Sequence, residues 1–125
     1  MKQLKQTYVI NAPVERVWRA FVDPKLIAQW GGGPAKMTDR VGPFSLWGGD
    51  IHGKNTKVVE HELIEQDWFS GNKWPSPSKL RFIFKPNGHK TIVELEHRNI
   101  PDQEAKDIEQ GWREYYLGPV KQLFG

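Results

Sequence analysis

Cysteine is absent from this 125-residue chain. A disulfide framework, a thiolate nucleophile and a sulfur-ligated metal are thereby excluded, and stability has to come from packing and hydrogen bonds. An intracellular, cytoplasmic protein is the simplest reading. Long apolar runs are missing as well: no window approaches the ~18 apolar residues of a membrane span, and the opening MKQLKQTYVI carries basic residues but no apolar targeting core. No membrane partner is expected. Charge of one sign is never gathered into a block, for 18 Lys plus Arg stand against 15 Asp plus Glu and the excess of +3 is spread along the chain. Nucleic acid is therefore not an expected partner. Repeats and low-complexity segments are also lacking, and the length suits one domain over residues 1–125 that buries roughly two thirds of its extended-chain surface.

Periodic apolar residues are plentiful. The stretch around which the chain is organised is Asp102 to Phe124, where Ala105, Ile108, Trp112, Tyr116 and Val120 recur at three or four residues and form one stripe of a long helix. Nearly everything between Ala35 and Asn99 reads as short strands, and a curved antiparallel sheet with one apolar face needs a helix across it. Pro119, which cannot donate to the Tyr115 carbonyl and crowds it, predicts a bend or interruption near Gly118.

From the N-terminus, Leu4 to Ile10 reads as a strand by its two-residue period. Asn11 is the expected cap of a helix started by Pro13, with Val14, Val17, Trp18 and Phe21 as its buried stripe. Asp23-Pro24 repeats the arrangement for a shorter helix burying Leu26, Ile27 and Trp30, ended by Gly31 to Gly33. Further strands are expected near 35–40, 43–47, 56–63, 65–73, 79–85 and 91–98. Gly42, Gly48-Gly49, Gly53, Pro75 to Ser78 and Asn87-Gly88 are the expected turns.

Motifs for catalysis are thin. In the glycine-rich run from Gly31 to Thr38 the position before Lys36 is Ala35, so a phosphate loop is not specified. His61-Glu62 lacks the second histidine of a zinc-protease motif, because Glu65 stands there, and no histidine pair falls at ligand spacing on one helix face. His97 beside Glu94 or Glu96 reads as a solvated sheet-edge histidine, and Glu60 with Glu62 as charges on a wet strand face. The chain is expected to be non-enzymatic, with no cofactor and no metal.

Aromatic residues carry more weight: six Trp, six Phe and three Tyr. They can fill the space between a bent sheet and a long helix, line a cavity for an apolar ligand, or form a contact patch. Trp68 and Trp74, flanking Gly71-Asn72-Lys73 and followed by Pro75, are the pair expected to be partly exposed, and Trp68, Lys73 and Trp74 are the candidate partner-binding set. Candidate cavity walls are Trp18, Phe82, Phe84, Trp112 and Tyr116.

The run Asn11-Ala12-Pro13-Val14-Glu15-Arg16-Val17-Trp18-Arg19-Ala20-Phe21, continuing through Asp23-Pro24 to Trp30, resembles the opening of the START-related superfamily. Gly111-Trp112-Arg113-Glu114-Tyr115-Tyr116, followed by Val120 to Gly125, resembles the end of the family of Hsp90 ATPase activator-like proteins. So do Trp68 with Trp74-Pro75 and the approach from His97 to Pro101. The resemblance covers practically the whole chain. It implies an α+β helix-grip fold: one strand, two short helices, further antiparallel strands, and a long C-terminal helix gripped by the sheet. For function it implies contact with an Hsp90-type chaperone in a non-catalytic, accessory role, since the chain has no room for the separate N-terminal domain of the eukaryotic activator. The alternative it implies is a carrier of a small hydrophobic or aromatic ligand between helix and sheet.

Overall fold

Strand β1 (Lys2–Ile10) buries Leu4 and Ile10 on one face in the computed structural model, which describes residues 1–71 and 74–125. Helix α1 (Val14–Val22) then buries Val14, Val17, Trp18, Ala20 and Phe21. Asn11 does not cap it. Pro13 takes the cap position in extended geometry with no side-chain cap, and its carbonyl accepts from the Arg16 and Val17 amides. Asp23 behaves as its sequence predicts: one carboxylate oxygen accepts from the Lys25 amide at 2.9 Å, opening α2 (Pro24–Trp30). Gly31 ends that helix at φ 105°, a left-handed backbone that suits glycine. The two helices are joined by the Trp30 indole, which donates to the Ala20 carbonyl at 2.8 Å.

The remaining strands are β2 (Gly42–Leu46), β3 (Ile51–Val59), β4 (Leu63–Ser70), β5 (Ser78–Asn87) and β6 (Lys90–Ile100). They form one sheet in the order β1-β6-β5-β4-β3-β2, antiparallel at every pairing. β2 to β6 run as successive hairpins and β1 closes the far edge, so α1 and α2 carry the chain across from one edge to the other. Trp47–Gly49 forms a single tight turn between β2 and β3, and Trp47 is fixed by its indole donating to the Gly31 carbonyl at 2.7 Å.

The expected strand at 35–40 does not form. Only Lys36 pairs, in an isolated bridge with Ser45. The Thr38 and Arg40 carbonyls are instead taken by the side-chain amide of Asn55, each at 3.1 Å, and Asn55 accepts in turn from Gln66 at 2.9 Å. Asn55 and Gln66 are buried, so this replacement for a ladder lies where an unmade hydrogen bond would be costly. Gly53 is not a turn either. It sits inside β3, where a Cβ would collide with the Asp67 carbonyl of β4. β4 stops at Ser70 and Gly71 lies in a turn; residues 72 and 73 of the expected strand lie outside the described residues.

The inner face of the sheet carries Ile64, Leu80, Phe82, Phe84, Val93 and Leu95, all buried. Each such side chain contributes about 1.5–3 kcal/mol over an exposed one. The C-terminal helix covers them in three sections: α3 (Ala105–Gly111), a π turn (Trp112–Tyr116) and α4 (Leu117–Leu123). The break comes one turn before Pro119. Since Pro119 offers no amide proton and its ring crowds the Tyr115 carbonyl, the ladder widens, and the Leu117 amide reaches back five residues to the Trp112 carbonyl. Gly118 permits this, because a Cβ there would collide with the Arg113 carbonyl. Gly118→Ala should lower stability by about 1–3 kcal/mol. Gly111→Ala, where the nearest atom to the new Cβ is 4.0 Å away and φ is −60°, should instead raise it by about 0.5–1 kcal/mol. Urea unfolding of the two variants checks both signs.

Candidate functional site

Among the described residues the helix is hydrogen-bonded to the sheet at two points: the Gln6 side-chain amide of β1 donates to the Glu109 carbonyl at 3.0 Å, and Trp112 engages β6. Trp112, on the buried stripe, donates its indole N–H to His97 Nδ1 at 3.0 Å. An indole nitrogen can only donate, so Nδ1 is the acceptor and the imidazole proton is on Nε2. Nε2 donates to Ser78 Oγ at 2.8 Å, and the Ser78 hydroxyl donates to the Trp68 carbonyl at 2.9 Å. One chain of hydrogen bonds thus links the π turn to β6, β5 and β4. His97 and Ser78 are fully buried. Burial pushes the His97 imidazole down to about 3, so it is neutral at ordinary pH. The sequence-based expectation of a solvated histidine is therefore corrected: Val93, Leu95 and His97 share the inner face, and that face is dry.

Aromatic rings close around this point. Trp68 stacks on Trp112 with centroids 5.5 Å apart and planes 22° apart, and meets the His97 ring edge-on at 5.0 Å. Trp74 lies behind Trp68 at 6.0 Å. Both indoles are buried, with Trp68 at 4% and Trp74 at 9% exposure, so the expectation of a protruding pair does not hold. Trp112, arriving from the distant helix, covers Trp68, and Trp74 packs against Trp68 in turn. Lys73, the third member of that set, lies outside the described residues. The Trp68 indole N–H is buried and has no hydrogen-bond partner among the described residues.

Beside this cluster an open groove of about 340 Å³ runs between the C-terminal helix and the turn entering β3. Trp68, Trp112 and Tyr116 line it together with Trp47, Ile51 and Ile108; Gly111 and Tyr115 belong to the helix side, and Asp50 and Asp107 add carboxylates. Tyr115 is 64% exposed. Burial raises the Tyr116 hydroxyl well above the usual phenol range. Of the expected cavity walls, Trp112 and Tyr116 reach this groove. Trp18, Phe82 and Phe84 do not line it: Trp18 packs on Phe84 at 5.0 Å, and Phe82 sits between Phe21 and Tyr116 as filled core. Trp47, Ile51, Ile108, Tyr115, Asp50 and Asp107 are not among the candidate site residues read from the sequence. Ile108 is visible in the helical stripe, but nothing local joins it to Trp47 or Asp50.

A curved antiparallel sheet closed on a C-terminal helix, with two short helices after the first strand, is the helix-grip arrangement. The family described as "Activator of Hsp90 ATPase homolog 1-like protein" matches residues 11–125, and this chain belongs to it. It is 33% identical over 127 residues to the human "Activator of 90 kDa heat shock protein ATPase homolog 1", aligning 98% of its own length with 36% of that protein. Similarity to "Uncharacterized protein C1711.08" of Schizosaccharomyces pombe is 27% over 125 residues, again with 98% of this chain and 37% of the other. The chain thus spans little more than a third of these relatives. Among solved structures, PFC0360w, an HSP90 activator from Plasmodium falciparum, superposes with a TM-score of 0.89 at 22% identity over 98% of this chain and 96% of that one. Protein MLL2253 from Mesorhizobium loti gives 0.83 at 20% identity with the same coverage. At these identities the two structures bear on the fold.

The buried neutral imidazole sets a pH dependence. Its folded value, about 3, is below the ordinary 6.5, so the unfolded chain binds the extra proton between the two. Its contribution is complete above pH 6.5 and is lost as pH falls towards 3, at about 1.4 kcal/mol per pH unit. Urea unfolding at a series of pH values should show this slope in the parent, and a His97→Gln variant, weaker at neutral pH, should lack that part of it.

Proposed function

We propose that this chain is a non-enzymatic binding domain that contacts an Hsp90-type chaperone through the groove beside the C-terminal helix. The observation that carries the reading is an open, mainly aromatic groove with exposed Tyr115 at its edge, on a seat held rigid by the Trp112 relay, in a member of this family. Aromatic side chains on a rigid base are the usual anchors of protein contacts. The carboxylates of Asp50 and Asp107 suit a partner residue that pairs a cation with apolar atoms. Within the proposed contact, Trp68 serves from beneath as part of the groove lining and Trp74 supports it. Binding would favour one conformation of an ATP-regulated partner by differential affinity, with no group transferred and no cofactor.

A second reading is favoured by one feature, the buried Trp68 indole N–H, which has no partner among the described residues. A flat apolar ligand bearing a hydrogen-bond acceptor would suit the same groove. Nile red, an apolar dye with a ring carbonyl, is a direct probe: chaperone that displaces it would place both on one surface.

The chaperone reading is tested by titrating the protein against Hsp90 from the same organism, with and without a non-hydrolysable ATP analogue. Saturable, nucleotide-sensitive binding is expected, weakened about tenfold, or 1.4 kcal/mol, by Tyr115→Ala. Absence of binding at high micromolar concentration would sink this reading and leave the ligand alternative.

A further inference from the structure

The outer face of the sheet is organised as rows of charge. Across the strands, Lys57, Glu65, Arg81, Glu96 and Lys5 are successive partners in the register and alternate in sign. The next row, about 6.8 Å away at two residues per repeat, is Lys54, Asp67, Lys79 and Arg98. The two signs do not stand at equal height. Asp67 is 15% exposed beneath a 47% exposed Lys79, and Glu65 is 26% exposed beneath a 47% exposed Arg81. Glu96 is half-buried, whereas Lys5, Lys54, Lys57 and Arg98 are exposed. These four cations have no ion-pair partner among the described residues. The carboxylates thus orient the cations and the cations face outward. A depression of about 490 Å³ runs through these rows, touching Lys5, Thr56, Arg81 and Arg98.

On the other side of the Lys57-to-Lys5 row lies a row that is apolar across β3, β4 and β5. Val59, Leu63 and Ile83 are register partners; the row continues through Glu94, which is paired with Lys85, to Thr7, and Val9 stands opposite Ile92 one row further on. Of these aliphatic side chains Val9 and Val59 are exposed and Leu63, Ile83 and Ile92 half-buried. Cations alone would suit any polyanion, but a row of aliphatic side chains beside them has no counterpart in a phosphate backbone. Carboxylates and aliphatic side chains at a two-residue period in one extended segment would meet both sets.

We propose that the outer face of this sheet is a second interaction surface, which takes an acidic, extended protein segment carrying carboxylates and aliphatic side chains. It lies on the opposite side of the sheet from the groove and stands apart from the groove reading.

The test uses the whole chain and a fluorescent dodecapeptide alternating Glu and Val, followed by anisotropy at low salt and at about half-molar salt, where the Debye length falls to a few ångströms. Binding should be saturable and salt-sensitive. The double variant Lys5→Glu with Arg98→Glu should weaken it at least about tenfold. Lys25→Glu with Lys121→Glu makes the same change in net charge elsewhere and should leave affinity within about twofold. Circular dichroism verifies folding, and the milder Lys5→Gln with Arg98→Gln, expected to give an intermediate loss, keeps the test valid if the reversal unfolds the chain. Equal weakening by the two charge-reversed pairs would overturn the proposal, as would loss of the peptide on Tyr115→Ala, which would put it in the groove. A twelve-nucleotide single-stranded DNA that displaces the peptide at lower concentration than unlabelled peptide would overturn the assignment to protein.

Discussion

The hydrogen-bond chain from the Trp112 indole through His97 and Ser78 to the Trp68 carbonyl is the constraint on which the rest depends. Apolar surface is indifferent to direction, and a helix held only by a greasy stripe could slide along the sheet. A buried N–H is not indifferent, because leaving it without an acceptor costs about 1–3 kcal/mol. Every donor in this relay has one acceptor, and the neutral imidazole can serve only with its proton on Nε2. The relay, together with the Gln6 amide that donates to the Glu109 carbonyl at 3.0 Å, therefore fixes where along the sheet the helix sits, and the relay does so at the residue where the π turn begins. From that point the widened backbone carries Tyr115 to the groove edge while Tyr116 stays buried.

Much of this was legible in the chain, for stated reasons. Two-residue alternation placed Leu80, Phe82 and Phe84 on one face, and it also put His97 with Val93 and Leu95. At His97 the usual solvation of histidine and the two-residue period point in opposite directions, and the period prevails. In the last helix the stripe Trp112, Tyr116, Val120 advances by four residues each time, which in a straight α-helix drifts by about 40° per step. That drift is what a π turn can absorb, and Pro119 with Gly118 marks its neighbourhood, although the break comes a turn earlier than the proline.

What was not legible depends on contacts far apart in sequence. Trp68 and Trp74 look exposed beside a glycine-containing segment, but Trp112 stacks on Trp68 and Trp74 packs against Trp68. The segment at 35–40 has the composition of a strand, yet the Asn55 side chain takes carbonyls that a ladder would have used. The groove draws on the turn before β3, the end of β4 and the C-terminal helix, with no motif to announce their meeting. Membership of the activator-like family makes chaperone contact the reading we favour for that groove, while the relay accounts for why the groove has a defined shape.

The central claim is that a neutral, doubly engaged His97 seats the helix. Nitrogen NMR of the imidazole across pH 7.5 to about 5 tests it most directly, because the neutral Nε2–H tautomer and the imidazolium have distinct shifts. The account predicts one non-titrating, Nε2-protonated ring over that range, together with a slowly exchanging Trp112 indole proton. A His97 resonance that titrates near the ordinary 6.5 would contradict it.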